Sequence, residues 1–337
     1  MSARPRRTRS YVSYIFDSRN WDRYRPRPGD VVISTSYKSG TTWMQNILRQ
    51  LVFPHEPRPP VSAVSPWLDR QHEDIGAVIA GLEAQAHRRF VKSHLPLDAL
   101  PWFPEVRYIV VVRDARDVFM SFWNHYSQYT DAQVAALNGP DPQGAPMPRC
   151  PDDIHALWPL WIGRGWFPWE SDGWPHSGNL YHTASWWRFR HLSNIRFVHY
   201  ADLLSDLPGE IGRIAAFLGI PLDPARRAAI AAAVSFDAIR RDPAAAAPMP
   251  AERAGQIWRN GLDTFFFKGT NGRWRDVLTE AELALYEAAK SRCLTPDCAA
   301  YLEAGRTAWT RPPGTRPASE LGAHPRADDA GAGHGRP

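Results

Sequence analysis

Short runs of β-branched and apolar residues alternate along this chain with longer stretches in which apolar positions recur every three or four residues. "DVVIS" (Asp30 to Ser34), "RRFVKSH" (Arg88 to His94), "RYIVVVRD" (Arg107 to Asp114) and "IRFVHYADL" (Ile195 to Leu203) read as strands. The third is apolar throughout and bounded by charges, the pattern of a strand buried on both faces. Helical patterns follow: from about Thr42 to Leu51, from about Ala115 to His125, and in "LPGEIGRIAAFLGI", with Pro208 near its start and Gly219 as its stop. Strands alternating with helices predict βαβ units. The expected fold is a single α/β domain, residues 11–304, with a central parallel sheet flanked by helices and with ligands at the carboxyl ends of the strands.

The periodicity lapses between about Thr130 and His182, where Pro, Gly and Trp are frequent. A connection this long predicts a functional insertion or lid. Of the 15 tryptophans, seven fall between Trp158 and Trp187. Together with Phe167 and Tyr181 they have two readings: a lining for a phenolic or hydrophobic acceptor, or anchors that fix the insertion to the core. The ends, residues 1–10 and 305–337, are rich in Arg, Pro, Gly and Ala and read as disordered tails.

Those tails also explain the charge. The net charge is +5 with a pI near 9.2, but Arg4, Arg6, Arg7 and Arg9 supply four positive charges and the C-terminal tail a net two more. The body is close to neutral, so a nucleic-acid partner loses its electrostatic support. No apolar run is long enough for a transmembrane helix, and no apolar core follows the basic "MSARPRRTRS" as a secretory leader requires. Cys150, Cys293 and Cys298 lack zinc-ligand spacing and leave one thiol unpaired, which favours a reducing, cytoplasmic setting with no metal.

The segment "VVISTSYKSGTTWMQNIL" (Val31 to Leu48) has the layout of a strand, an anion-binding loop and a helix. Backbone N–H groups of Gly40, Thr41 and Thr42 would sit at the helix N-terminus, where the dipole favours anions. Ser39, Thr41 and Thr42 add hydroxyls, Lys38 adds a cation, and Gly40 admits close approach. The phosphate-loop pattern G-x-x-x-x-G-K-[ST] is absent, because the lysine precedes the glycine. By itself the segment fits an anion loop and an ordinary capped turn equally well. Downstream, His94 ends a strand and is followed at once by "LP", so it is a candidate general base. Lys92, two residues earlier, projects to the same side of the strand. Arg113 and Ser121 offer a guanidinium fork and a hydroxyl to a phosphate. A cation at Arg113 disfavours reading Asp114 as a metal carboxylate; Asp114 and Asp117 are read as capping or structural residues.

Four ordered segments carry a family resemblance. "TSYKSGTTW" resembles the 5′-phosphosulfate loop T-Y-P-K-S-G-T-T-W of the cytosolic sulfotransferases, and "FVKSHLPLDALP" resembles their K-T-H-L-P segment. "YIVVVRDARDVFMSFWNH" is similar to their 3′-phosphate strand and helix, and "FFFKGTNGRWRDVLT" to their R-K-G-x-x-G-D-W loop. The resemblance spans about Asp30 to Leu285. It implies transfer of a sulfuryl group from 3′-phosphoadenosine 5′-phosphosulfate (PAPS), without a metal, to a small hydrophobic or phenolic hydroxyl or amine. It further implies that Lys38, Ser39, Gly40, Thr41 and Thr42 hold the phosphosulfate and that Trp43, Tyr200 and Phe236 meet the adenine. Arg113, Ser121 and the loop Phe267, Lys268 and Gly269 hold the 3′-phosphate. His94, Lys38, Lys92 and Ser121 form the implied catalytic set.

Departures from the family pattern are specific. Tyr37 replaces a proline, Val234 a threonine, Phe267 an arginine of the 3′-phosphate loop, and Arg273 an aspartate. In "RDVLTEAELA", Glu280 and Ala284 interrupt the family's dimerisation pattern, so that dimer is not expected and the oligomeric state stays open. The competing functional classes are a nucleotide-dependent kinase with an atypical phosphate loop and a non-catalytic nucleotide-binding protein.

Overall fold

The computed structural model describes residues 4–71, 73–139 and 143–310. Four parallel strands, β1 (Val31–Thr35), β2 (Phe90–Ser93), β3 (Arg107–Val112) and β4 (Ile195–His199), form one sheet in the order β2-β1-β3-β4. Ile33 pairs with Lys92 on one side and Ile109 on the other, and Val112 pairs with His199. The order reverses at β1, which creates the crevice where open α/β sheets bind ligands.

The two-residue period of each strand divides its side chains between two cores. Val31, Ile33, Ile109 and Val111 face α1 (Thr41–Val52) and the later helices α7 (Leu207–Leu218) and α8 (Pro224–Ala233). Val32, Tyr108, Val110 and Val112 face the other core, which holds α3 (Ala115–Tyr126), α5 (Ile154–Gly163) and α6 (Asn179–Trp187). The helix α2 (Ile75–Glu83) precedes β2, and α4 (Asp131–Asn138) follows α3. α9 (Phe236–Arg241), α10 (Ala251–Ile257) and α11 (Gly261–Phe265) lead into the loop at Phe267–Gly272, and α12 (Glu280–Cys293) and α13 (Pro296–Ala304) close the fold. No helix among the described residues is long and apolar enough to cross a membrane.

Three readings change. The segment 130–182 contains α4 and α5, hidden from periodicity because α5 buries Leu157, Trp158, Trp161 and Ile162 and carries Pro159 inside it. Its tryptophans are anchors: Trp158 and Trp161 stack at 5.8 Å, Phe119 of α3 sits edge-on to Trp158 at 4.7 Å, and Trp158 Nε1 donates to the Glu282 carbonyl. None of the seven lines the large cavity described below.

The basic N-terminus, expected to be disordered, packs from Arg4 onward. The N–H groups of Thr8 and Arg9 donate to the Asp98 carbonyl, and the Arg9 guanidinium lies 4.8 Å from the Trp169 ring centre. Arginine stems over aromatic faces offset the ordering cost that the composition alone made prohibitive. At the other end, Gly305 closes α13 and Arg306 pairs with the buried Glu210, so residues 305 and 306, expected in the tail, belong to the fold; residues 311–337 of that expected tail lie outside the described residues.

Because Trp161 is 2% exposed and packed on Trp158 and Phe119, Trp161→Ala is expected to destabilise the fold by about 3–5 kcal/mol. Urea denaturation followed by circular dichroism measures this, and a loss below about 1 kcal/mol would place the residue outside the core.

Candidate active site

All four strands end at one crevice, and each delivers a polar residue to it. β1 runs into the turn Ser36–Gly40, β2 into His94, β3 into Arg113 and β4 into Tyr200. Together they line a cavity of about 640 Å³, within the range of small-molecule sites.

In the first loop, Lys38 and Gly40 both take positive φ, 71° and 112°. Gly40 is required twice over, since a Cβ there would also stand 2.9 Å from the Tyr200 ring. Gly40 is the N-cap of α1 and supplies no side-chain acceptor. The first-turn amides therefore have neither an intrahelical nor a capping partner, and Gly40, Thr41, Thr42 and Trp43 line the cavity. The loop hydroxyls are partly committed inward. Ser39 Oγ bonds Ser36 Oγ at 2.6 Å, and Thr41 Oγ1 bonds Thr35 Oγ1 at 2.6 Å. Ser39 is the one expected ligand that does not reach the cavity wall; it braces the turn from behind.

The end of β2 holds the histidine in one tautomer. His94 Nδ1 lies 3.0 Å from the Thr35 carbonyl, which can only accept, so Nδ1 carries the proton and Nε2 keeps its lone pair. The His94 backbone N–H donates to Asp69 Oδ2, and Asp69 also accepts from the indoles of Trp21 and Trp67. His94 is 4% exposed, and burial followed by the nearby Lys92 charge lowers its pKa well below the usual imidazole value. Lys92 lies 4.8 Å from the Trp67 ring centre, and burial pulls its pKa down to about 8.

The end of the cavity beyond β3 is organised by Arg113. Its Nε donates to Asn271 Oδ1 and its Nη2 to the Thr270 carbonyl, both at 3.0 Å, and its guanidinium lies 4.1 Å from the Tyr200 ring centre. The two nearby carboxylates are engaged structurally, as expected: Asp117 accepts the Gly272 N–H at 2.6 Å, and Asp114 caps α3 and pairs with Arg116. Burial and the neighbouring Asp114 charge raise the Asp117 pKa to about 6. Trp43 meets Tyr200 edge-on at 5.3 Å, and Gly269 presses against Phe236, where a Cβ would come within 2.5 Å of the ring. Ser121, Phe236, Phe267, Lys268 and Gly269 all line the same cavity.

Sequence reasoning missed His125 and the far wall of the cavity, and it noted Arg273 only as a departure from the family pattern. His125 lies one helical turn beyond Ser121 on α3, a spacing that shares a face. Its Nδ1 is 3.1 Å from Lys38 Nζ and its Nε2 is 2.9 Å from the Tyr37 hydroxyl. Arg273 enters the cavity 5.3 Å from the Phe267 ring centre, and its buried Nε has no partner. The apolar part of the remaining wall comes from distant elements, Tyr14 and Ile15, Trp67, Val78 and Leu82 of α2, and Trp258 with Phe265 and Phe266, and it alternates with polar residues such as Arg70, Glu73 and Gln133.

The sulfotransferase domain model matches residues 28–290, an interval that contains every one of these groups except Tyr14 and Ile15. The chain belongs to the sulfotransferase family. Among curated sulfotransferases, a glycolipid sulfotransferase of Mycobacterium bovis is 34% identical over 89% of this chain and 95% of its own length. Sulfotransferase 1A1 of Rattus norvegicus is 29% identical over 80% and 86%. Two solved structures share the fold with a TM-score of 0.61: mouse sulfotransferase SULT7A1 complexed with PAP, at 19% identity over 87% of this chain and 92% of that one, and retinol dehydratase in a complex with retinol and PAP, at 22% over 82% and 84%.

Lys38 is the most perturbed cation of this sulfotransferase site. Burial, then the Arg113 and Lys92 charges, bring its pKa down to about 7. A depressed lysine binds fewer protons folded than unfolded, so its cost to the fold is complete below pH 7 and fades as pH rises toward the unfolded value near 10.4. Lys38→Met is therefore expected to raise the melting temperature of the ligand-free protein at pH 7, with the gain shrinking toward pH 10. Calorimetry at both pH values checks it; an equal gain at both would refute the assignment.

Proposed function

We propose that this sulfotransferase transfers the sulfuryl group of PAPS to a hydroxyl of a hydrophobic acceptor by in-line displacement, with His94 as general base. The reading is carried by one juxtaposition: His94, held with Nε2 available, lines the same cavity as the uncapped N-terminus of α1. The uncapped amides and Lys38 suit the 5′-phosphosulfate. Trp43, Tyr200 and Phe236 offer faces to an adenine. The acceptor then approaches along the apolar wall formed by Trp67, α2 and Phe265. The glycolipid sulfotransferase relative, by its name, supports an apolar or lipid-linked hydroxyl over a freely soluble one.

The step balances simply. As the acceptor oxygen bonds to sulfur, its proton passes to His94 Nε2 and the bond between sulfur and the bridging phosphate oxygen breaks. The electron pair stays on adenosine 3′,5′-bisphosphate (PAP), and Lys38 and Lys92 neutralise the charge that builds on the transferring and bridging oxygens. His94→Ala is expected to lower the transfer of labelled sulfate by at least about 100-fold while PAP still raises the melting temperature. Stabilisation of the wild type by Mg–ATP but not by PAP would replace this reading with the kinase.

Arg273 supplies the cation that Phe267 lacks. It shares the cavity with Arg113, and burial and the Arg113 charge lower its pKa, the expected mark of cations gathered without an anion. With Arg113, Ser121 and Lys268 it would receive the 3′-phosphate. Arg273→Met is expected to weaken PAP binding about 10-fold or more and AMP binding by less than about 2-fold in isothermal titration. Equal losses for the two nucleotides would remove Arg273 from the 3′-phosphate.

A further inference from the structure

Lys38 is a flexible side chain asked to stand at one point in a desolvated cavity, and Arg113 and Lys92 both oppose its charge. Its amine meets one hydrogen-bonding side chain, His125, and that contact continues to Tyr37. Both residues belong to this chain's departures and omissions: Tyr37 stands where the family has proline, and His125 lies outside the expected site.

We infer that His125 is a positioning residue for Lys38, holding its ammonium on the cavity side of the loop through a relay Tyr37–His125–Lys38. The inference rests on the sulfuryl-transfer reading. An ammonium has three donors and no lone pair, so His125 Nδ1 must accept from it, at 3.1 Å. The Nε2–H is then the donor to the Tyr37 oxygen, at 2.9 Å, and this second bond keeps the imidazole from adopting the other tautomer. Tyr37 is itself fixed by parallel stacking on His176, with ring centres 4.6 Å apart and planes 9° apart, and by an edge contact with His94 at 5.2 Å. His125 packs against Trp258 at 4.6 Å and Tyr129 at 5.3 Å, so its ring cannot swing away.

The relay has a chemical consequence. The titratable and charged groups around the pair are Arg113 from β3, Lys92 and His94 from β2, His176 from the insertion, Tyr37 from the first loop and Tyr129 beyond α3. None is a carboxylate. The His125 lone pair is therefore what favours the charged form of Lys38 before any anion enters. The bond favours only the charged form, so losing it is expected to lower the Lys38 pKa by about one unit. From a starting value of about 7, a one-unit drop takes the ammonium fraction at pH 7 from about one half to about one tenth, and the ammonium is what the leaving oxygen requires.

The test is competitive labelling of the full chain with acetic anhydride between pH 5 and 10, with the Lys38 peptide quantified by mass spectrometry. In the wild type Lys38 is expected to titrate near neutrality. His125→Phe keeps the ring volume and is expected to move the midpoint down by about one pH unit. His125→Asn restores an acceptor and returns most of that shift, whereas a packing defect would not be rescued. Tyr37→Phe, which leaves His125 in place, moves the midpoint in the same direction by less. Added PAP raises the midpoint in every variant. Midpoints that coincide in the wild type and His125→Phe overturn the relay, as does a shift that His125→Asn leaves untouched. Failure of PAP to move the wild-type midpoint counts instead against the donor reading, and the comparison between variants stands without it.

Discussion

The site is organised around positive charge that the protein itself does not neutralise. Lys38, Lys92, Arg113 and Arg273 line one cavity, while the nearby carboxylates, including Glu73 of the cavity wall, bond to other groups. Asp69 serves two indoles and the His94 amide, Glu73 pairs with Arg70, Asp114 pairs with Arg116, and Asp117 accepts the Gly272 amide. Holding cations together in a half-desolvated crevice costs stability, and the cost is released only when an anion of matching charge enters. The fold is arranged to sustain that cost. Strands buried on both faces, with two packed cores behind them, fix the backbone from which the cations project, so they cannot relax apart.

This constraint also accounts for features that look unrelated. An uncapped helix start would be a defect in an ordinary turn; here its amide dipoles add to the same positive field. A positive φ at Lys38, uncommon for a residue with a side chain, turns that side chain inward rather than to solvent. Arg113 uses two of its donors on the Thr270–Asn271 backbone and side chain, tying the loop that carries Lys268 and Arg273 to the end of β3. The loop after α11 is thereby positioned before any ligand arrives, which lowers the ordering cost of binding.

The parts legible in the sequence were those whose signal is local. The four strands, the helices at Thr41 and Ala115 and the loop between them are written in period-two and period-3.6 patterns and in one glycine. His94, Lys92 and Arg113 were found because each ends a strand, and strand ends in a parallel sheet converge. What was not legible depends on tertiary contact. Trp158 and Trp161 were not legible as core anchors because α5 is apolar at nearly every position, which erases the amphipathic signal that would have revealed a helix. Arg4 to Ser10 pack because Trp169 and Asp98 receive them, partners some ninety and more residues away. Ser39 faces away from the cavity because a turn of five residues cannot aim every hydroxyl inward. His125 carried the faintest signal, a single i to i+4 step from Ser121.

On the proposed reading, the same electrostatics orders the reaction. His94 is buried among cations, which depresses its basicity while the crevice lacks an anion. An imidazole in that state takes up a proton reluctantly, and the optimum for a general base lies near the working pH. Entry of a multiply charged donor reverses the local field, strengthens the imidazolium that must form, and does the same for the ammonium of Lys38. The acceptor's hydroxyl is then deprotonated only when the sulfuryl group is already in place. A base tuned to be weak without the donor, rather than a gate or a moving lid, makes donor and acceptor interdependent in a cavity that both line.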